Sequence, residues 1–176
     1  MDPLLETLRY PIGRFDPAPR DVPRGPLIET IAAAPEQLRA AVAGLDEDRL
    51  DIPYREGGWS VRQLAHHVPD SHLNAYIRFK WTLTEDGPLI KTYDQTAWAN
   101  LPDSRLTPVE TSLALLEALH LRWVTLLRAM TPADFARTLE HPEWGTIDLD
   151  VMLRLYEWHG RHHVAHVTRL RERMGW

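Results

Sequence analysis

The sequence predicts an all-α fold, a four-helix bundle with an extended, proline-rich N-terminal arm. Three observations carry this. Four stretches repeat apolar residues at helical spacing. Little of the chain reads as strand, and it holds no glycine-rich phosphate loop, internal repeat or low-complexity segment. The balance of 44% hydrophobic and 26% charged residues is enough to bury a core. Its length suits one domain, expected to span residues 1–176. Bundling four amphipathic stripes is the simplest way to cover them, and bundle interiors are common metal sites.

Residues 1–26 contain Pro3, Pro11, Pro17, Pro19, Pro23 and Pro26, which fix φ and remove amide donors. An extended arm wrapped on the domain is expected there. The first bundle helix is expected from about Leu27 to Leu45, on the stripe Ile28, Ile31, Leu38, Val42 and Leu45. Pro35 inside it should kink or split it. The second helix opens on a capping box, Ser60 with Gln63, and should run to about Leu83 with Pro69 inside. Residues 84–105 read as a long loop holding Tyr93, Asp94 and Trp98, and loops of that length are often functional. Thr107-Pro108-Val109-Glu110 reads as a second capping box. It starts a third helix on Leu113, Leu116, Val124 and Leu127 that ends near Met130. Thr131-Pro132-Ala133-Asp134 signals a further short helix, and Glu140 to Thr146 a turn or short hairpin. The last helix should run from about Leu149 to Met174, with Arg169, Arg171 and Arg173 complementing its dipole.

Composition removes several function classes. With no cysteine, the chain has no disulfide, thiolate ligand or cysteine nucleophile, so a metal site must use His, Asp, Glu or water. A nucleic-acid binder is expected to carry a basic face, and with a net charge of −5 nothing here favours DNA or RNA, although local basic patches remain open. The first residues lack a basic-then-apolar pattern, and no apolar run approaches the roughly 18 residues of a membrane span. A cytoplasmic protein without membrane contact is expected.

The histidines are the strongest chemical signal. Of nine, four lie within eight residues: His159, His162, His163 and His166. On a helix these fall within a sector of about 100°. His162 and His166 form one i, i+4 pair and His159 and His163 another; either could share an ion. The second helix supplies His66 and His67. The stripe through His67 contains Leu64, Ser71, Asn74 and Arg78. A polar seam of this kind inside a bundle costs free energy unless its groups are paired or bind something. His67 is therefore the better inward candidate. Three imidazoles would leave open positions on a divalent ion, a pattern of catalytic rather than structural sites. Lone histidines such as His72, His120 and His141 read first as surface or hydrogen-bonded core groups, although His120 sits on an apolar stripe. Asp70, one turn after His67, is the candidate catalytic residue, readable as a base, as a partner for an imidazole or as a solvated acid. Tyr93 and Asp94 are candidate pocket residues for a cofactor or co-substrate.

GGWSVRQLAHHVPDSHLNAYIRFK, DGPLIKTYDQTAW and YEWHGRHHVAHVTRLRERMGW resemble the YfiT-like branch of the DinB superfamily, from about Tyr10 to Trp176. The resemblance implies a dimeric four-helix bundle with one divalent ion per subunit, zinc first and nickel second. Its ligands would be one histidine of the second helix and two of the last, carried over as His67, His162 and His166. It further implies a small-molecule substrate and a metal-activated nucleophile. That nucleophile is either a low-molecular-weight thiol such as bacillithiol, giving an S-transferase, or water, giving a metal-dependent hydrolase. A non-catalytic metal- or ligand-binding stress protein is the alternative.

Overall fold

Hydrogen-bonded capping and apolar spacing set the helices, and the computed structural model describes residues 3–18 and 21–176. In chain order the elements are α1 (Pro3–Arg9), α2 (Arg24–Val42), α3 (Glu47–Leu50), α4 (Val61–Thr84), α5 (Gln95–Ala99), α6 (Asp103–Leu106), α7 (Val109–Ala129), α8 (Pro132–Phe135), β1 (Thr138–His141), β2 (Gly145–Asp148) and α9 (Leu149–Met174). None is long and apolar enough to cross a membrane.

Helices α2, α4, α7 and α9 form the four-helix bundle. Each packs on two neighbours, in the cyclic order α2, α9, α4, α7. Two apolar clusters fill it at different heights. One gathers Ile31, Phe79, Trp123, Leu127, Leu149 and Met152; the other Leu38, Leu64, Leu113, Leu116, Val167 and Leu170. Reading residue numbers from one cluster to the other gives chain direction. Helices α2 and α9 run from the first to the second, and α4 and α7 run back. The neighbours α2 and α9 are therefore parallel, as are α4 and α7, and long connections must join the pairs. Between the clusters lies a polar layer: His67, Ser71 and His72 of α4, His120 of α7, and the α9 histidines.

The capping box at Ser60 is present: Gln63 N–H donates to Ser60 Oγ, and Ser60 N–H to Gln63 Oε1. The last helix has the expected bounds, with Asp148 accepting from the Val151 amide and Gly175 closing it at φ 71°. The box at Thr107 is absent. Helix α7 starts after Pro108, and Glu110 reaches instead to Arg39, 2.9 Å away on α2. Thr131 and Asp134 form a box of this type, opening α8. The 84–105 loop contains α5 and α6.

The arm departs from expectation, because Pro3–Arg9 is helical. Pro3 sits in the first turn, where a missing amide donor costs nothing, and the next proline is Pro11. Residues 10–18 do run without helix and are pinned to α9. Arg154 donates to the carbonyls of Asp16, Pro17 and Ala18, and Trp158 Nε1 to that of Gly13. Pro19, counted in the arm, lies outside the described residues. Helix α2 starts at Arg24 rather than Leu27 because Pro26 also falls in a first turn. Pro35 and Pro69 lie inside unbroken helices. A proline at position 35 still removes the amide that would bond the carbonyl four residues back, at Ile31.

Candidate metal centre

Among the described residues, two all-histidine triads bring one ring nitrogen per residue within 4.8 Å of the others. They are His67, His159, His163 and His162, His163, His166. The expected trio of His67, His162 and His166 is not gathered into one such set. His163 belongs to both, so the two triads adjoin across one face of α9.

In the first triad the ring nitrogens meet around His159. His159 Nε2 lies 3.3 Å from His67 Nε2 and 3.2 Å from His163 Nε2. A tetrahedral ion about 2.0–2.1 Å from each nitrogen would hold its ligands about 3.4 Å apart, so this spacing suits zinc. Burial holds all three rings below the ordinary histidine pKa, His67 at about 4, and so favours the neutral form that ligates. Trp59 packs over His67 with ring centroids 4.7 Å apart.

A hydrogen-bonded chain sets the proton on His159. It begins at the Ile31 carbonyl, which Pro35 leaves without a helix partner. His120 Nδ1 lies 2.7 Å from that oxygen. A carbonyl can only accept, so His120 carries its proton on Nδ1 and its Nε2 is an acceptor. His72 Nδ1, 2.8 Å away, must donate to it. His72 Nε2 then accepts from His159 Nδ1 at 3.1 Å. The proton of His159 is thereby held on Nδ1, and its Nε2 lone pair faces His67 and His163. Burial keeps His120 at about 4 and His72 well below the usual range, so the chain stays neutral and directional. The expectation of hydrogen-bonded core groups for His72 and His120 holds in geometry, but the bonds lead into the histidine cluster.

The second triad is held differently. His166 Nε2 lies 3.2 Å from the Arg9 carbonyl at the end of α1, so that nitrogen carries its proton and points at the arm. Trp158 stacks on His162 with centroids 4.2 Å apart, and Tyr54 lies 4.1 Å from His166. The Nδ1 atoms of His162, His163 and His166 are buried without partners. Desolvation first, then neighbouring imidazoles, lowers His162 to about 3. His66 is turned away: its Nε2 meets the Thr107 carbonyl at 3.1 Å and its Nδ1 the Ser112 hydroxyl at 2.7 Å.

The four α9 histidines line a cavity of 720 Å³ whose wall also includes Tyr10, Tyr54, Trp59, Arg78 and Tyr93. Tyr93 stands on this wall, its Oη buried and without a partner. Asp94 does not; it caps α5, accepting from the Ala97 amide at 2.9 Å. Asp70 also lies off the wall. Burial, aided by Asp103, raises its carboxyl to about 6. Tyr10, Tyr54 and Tyr156 were not singled out as site residues, and only the polar stripe through His67 and Arg78 pointed this way.

Residues 30–167 match the DinB superfamily. The chain belongs to that superfamily. Among similar proteins of this DinB chain is one from Bacillus mycoides (strain KBAB4), 50% identical over 174 residues, covering 98% of this chain and all of that one. A second, from Bacillus cereus (strain ATCC 10987 / NRS 248), is 50% identical over 175 residues at the same coverage. Both are named "Putative metal-dependent hydrolase". In structure, the DinB chain is similar to YfiT from Bacillus subtilis, described as "a probable metal-dependent hydrolase with an unusual four-helix bundle topology". The TM-score is 0.92 at 46% identity, over 97% of this chain and 99% of that one. The four-helix bundle protein TT2238 shares the fold at 20% identity, with TM-score 0.58 over 84% of this chain and 99% of that one.

Proposed function

We propose that this protein is a metal-dependent enzyme whose divalent ion, zinc or nickel, is held by His67, His159 and His163. The observation that carries the reading is the meeting of their three rings from α4 and α9, with Nε2 atoms 3.2 and 3.3 Å apart around His159. This pairing of α9 residues differs from the His162 and His166 that the resemblance selected. Bound there, the ion would act as a Lewis acid that makes an adjacent water or thiol nucleophilic near neutral pH.

The chain's own residues supply the rest. His120 and His72 keep the proton of His159 on Nδ1. The aromatic wall of Tyr54, Trp59 and Trp158 limits water around the rings. The wall of α1, Tyr93 and the hairpin tip leaves a cavity sized for a small molecule. Asp70 stands off that wall, so this reading gives it no proton-transfer role. The nucleophile we favour is a low-molecular-weight thiol such as bacillithiol, transferred to an electrophilic acceptor; water, and hence hydrolysis, is the second reading and agrees with the names of the similar Bacillus proteins. A cytoplasmic homodimer belongs to the same proposal, and sedimentation would test the dimer.

Metal analysis of the purified protein and of single alanine variants tests the site. His67→Ala, His159→Ala and His163→Ala should each lose most bound metal, while His162→Ala and His166→Ala keep it. Full occupancy in the first three would overturn the assignment. Turnover of a chloro-aromatic acceptor only with bacillithiol supports transfer, whereas thiol-independent ester or amide cleavage supports hydrolysis.

A further inference from the structure

Two turns beyond Ser71 on α4, Arg78 is 7% exposed and lines the cavity that the α9 histidines share. A buried histidine can shed its proton; a guanidinium cannot. Arg78 is therefore a permanent buried cation. Among the described residues it forms no ion pair, and only neutral oxygens face it. Its Nη2 donates to the Lys91 carbonyl at 2.9 Å and its Nη1 to Tyr156 Oη at 3.4 Å. Two of five N–H groups are used. Buried charges in proteins are as a rule paired.

Its neighbours extend the pattern. Tyr93 Oη is buried with no partner, and the Ser71 hydroxyl stands beside both phenols. Glu143, on the same wall, is exposed and makes no ion pair with Arg78. The cavity thus contains a fixed cation, an unused phenol donor and no carboxylate bonded to either.

We propose that Arg78, with Tyr93, Tyr156 and Ser71 around it, is a subsite for the carboxylate of a small organic acid whose other end lies toward the α9 histidines. This deepens the functional reading above by naming a substrate class, one bearing an anionic carboxylate. The planar fork of Arg78 suits two carboxylate oxygens, and the Tyr93 phenol donates a further bond.

Calorimetric titration with benzoate, and with benzamide as its uncharged analogue, tests this on zinc-loaded protein and again after chelation. Benzoate should bind about tenfold or more tightly than benzamide and persist after chelation, since Arg78 and not the ion holds it. Arg78→Gln should remove that preference, and Tyr93→Phe should weaken benzoate several-fold while leaving benzamide unchanged. Loss of benzoate binding on chelation would overturn the subsite, as would equal affinity for both probes. Should Arg78→Gln fail to fold, the Tyr93→Phe variant and the chelation step decide it. Because the chelated protein reads the subsite alone, its failure is distinct from failure of the metal reading.

Discussion

The two histidine pairs of α9 have the same spacing and sit on one helix face, yet they are held by different partners through different ring nitrogens. His159 and His163 face α4, and a chain running to the Ile31 carbonyl dictates where the proton of His159 sits. His162 and His166 face the N-terminal arm. There a backbone carbonyl accepts a hydrogen bond from His166 Nε2–H, and Trp158 and Tyr54 cover the rings. Spacing supplies rings in reach of one ion; the partner of each ring's other nitrogen decides which lone pair is offered. On the reading proposed above, the first pair holds the cation and the second, whose Nδ1 atoms are buried without partners, lines the wall.

Acid should break the α4-facing side most strongly. The folded pKa of His120, about 4, lies below the unfolded value of 6.5, so between these the unfolded chain binds more protons. Its contribution is complete above pH 6.5 and is lost as pH falls toward 4. For His120 alone this amounts to about 3 kcal/mol. Denaturant melts of chelated protein at pH 7 and pH 4.5 should show at least that direction, and equal stability at both would refute neutral burial of the chain.

Cutting the chain sharpens the comparison. In His72→Leu, His159 Nδ1 loses its acceptor, and zinc affinity measured by chelator competition should fall about 10- to 100-fold. His166→Ala, on the wall side, should stay within about twofold by the same reasoning. Similar losses in both would erase the distinction.

Pro35→Ala returns an amide that competes for the Ile31 carbonyl. Zinc affinity should drop less than in His72→Leu, while helix propensity at that position improves. Furthest from the site, Ser60→Ala removes the α4 cap and should cost about 1 kcal/mol in a thermal melt with no change in zinc affinity.

Much of this architecture is legible in the sequence. The Ser60 and Gln63 box, the four apolar stripes and the bounds of α9 depend on local spacing and local hydrogen bonds, which sequence encodes directly. Thr107 and Glu110 have the same letters as a cap, but the Arg39 guanidinium on α2 competes for Glu110, a partner 71 residues away. Prolines crowd the first 26 residues, and their count hid the run after Pro3, free of proline until Pro11, that continues α1 to Arg9. For the site, the histidine cluster is readable but the choice of pair is not, because both pairs repeat every four residues. On the proposed assignment, rotation of α9 about its axis makes the choice. Gly160 fixes part of that rotation: a Cβ there would stand 3.3 Å from Ala34 Cβ, so the glycine face lies close against α2. His159, one residue before, is then carried toward His72 and α4. The role of His72 and His120 was equally hidden, since it depends on a carbonyl freed by a proline in a different helix.

An anomalous-difference map from crystals of the zinc-loaded protein tests the central claim most directly. We expect one peak about 2.0–2.1 Å from the Nε2 atoms of His67, His159 and His163. A peak coordinated instead by His162 and His166, with the His159 ring turned away from it, would contradict the account.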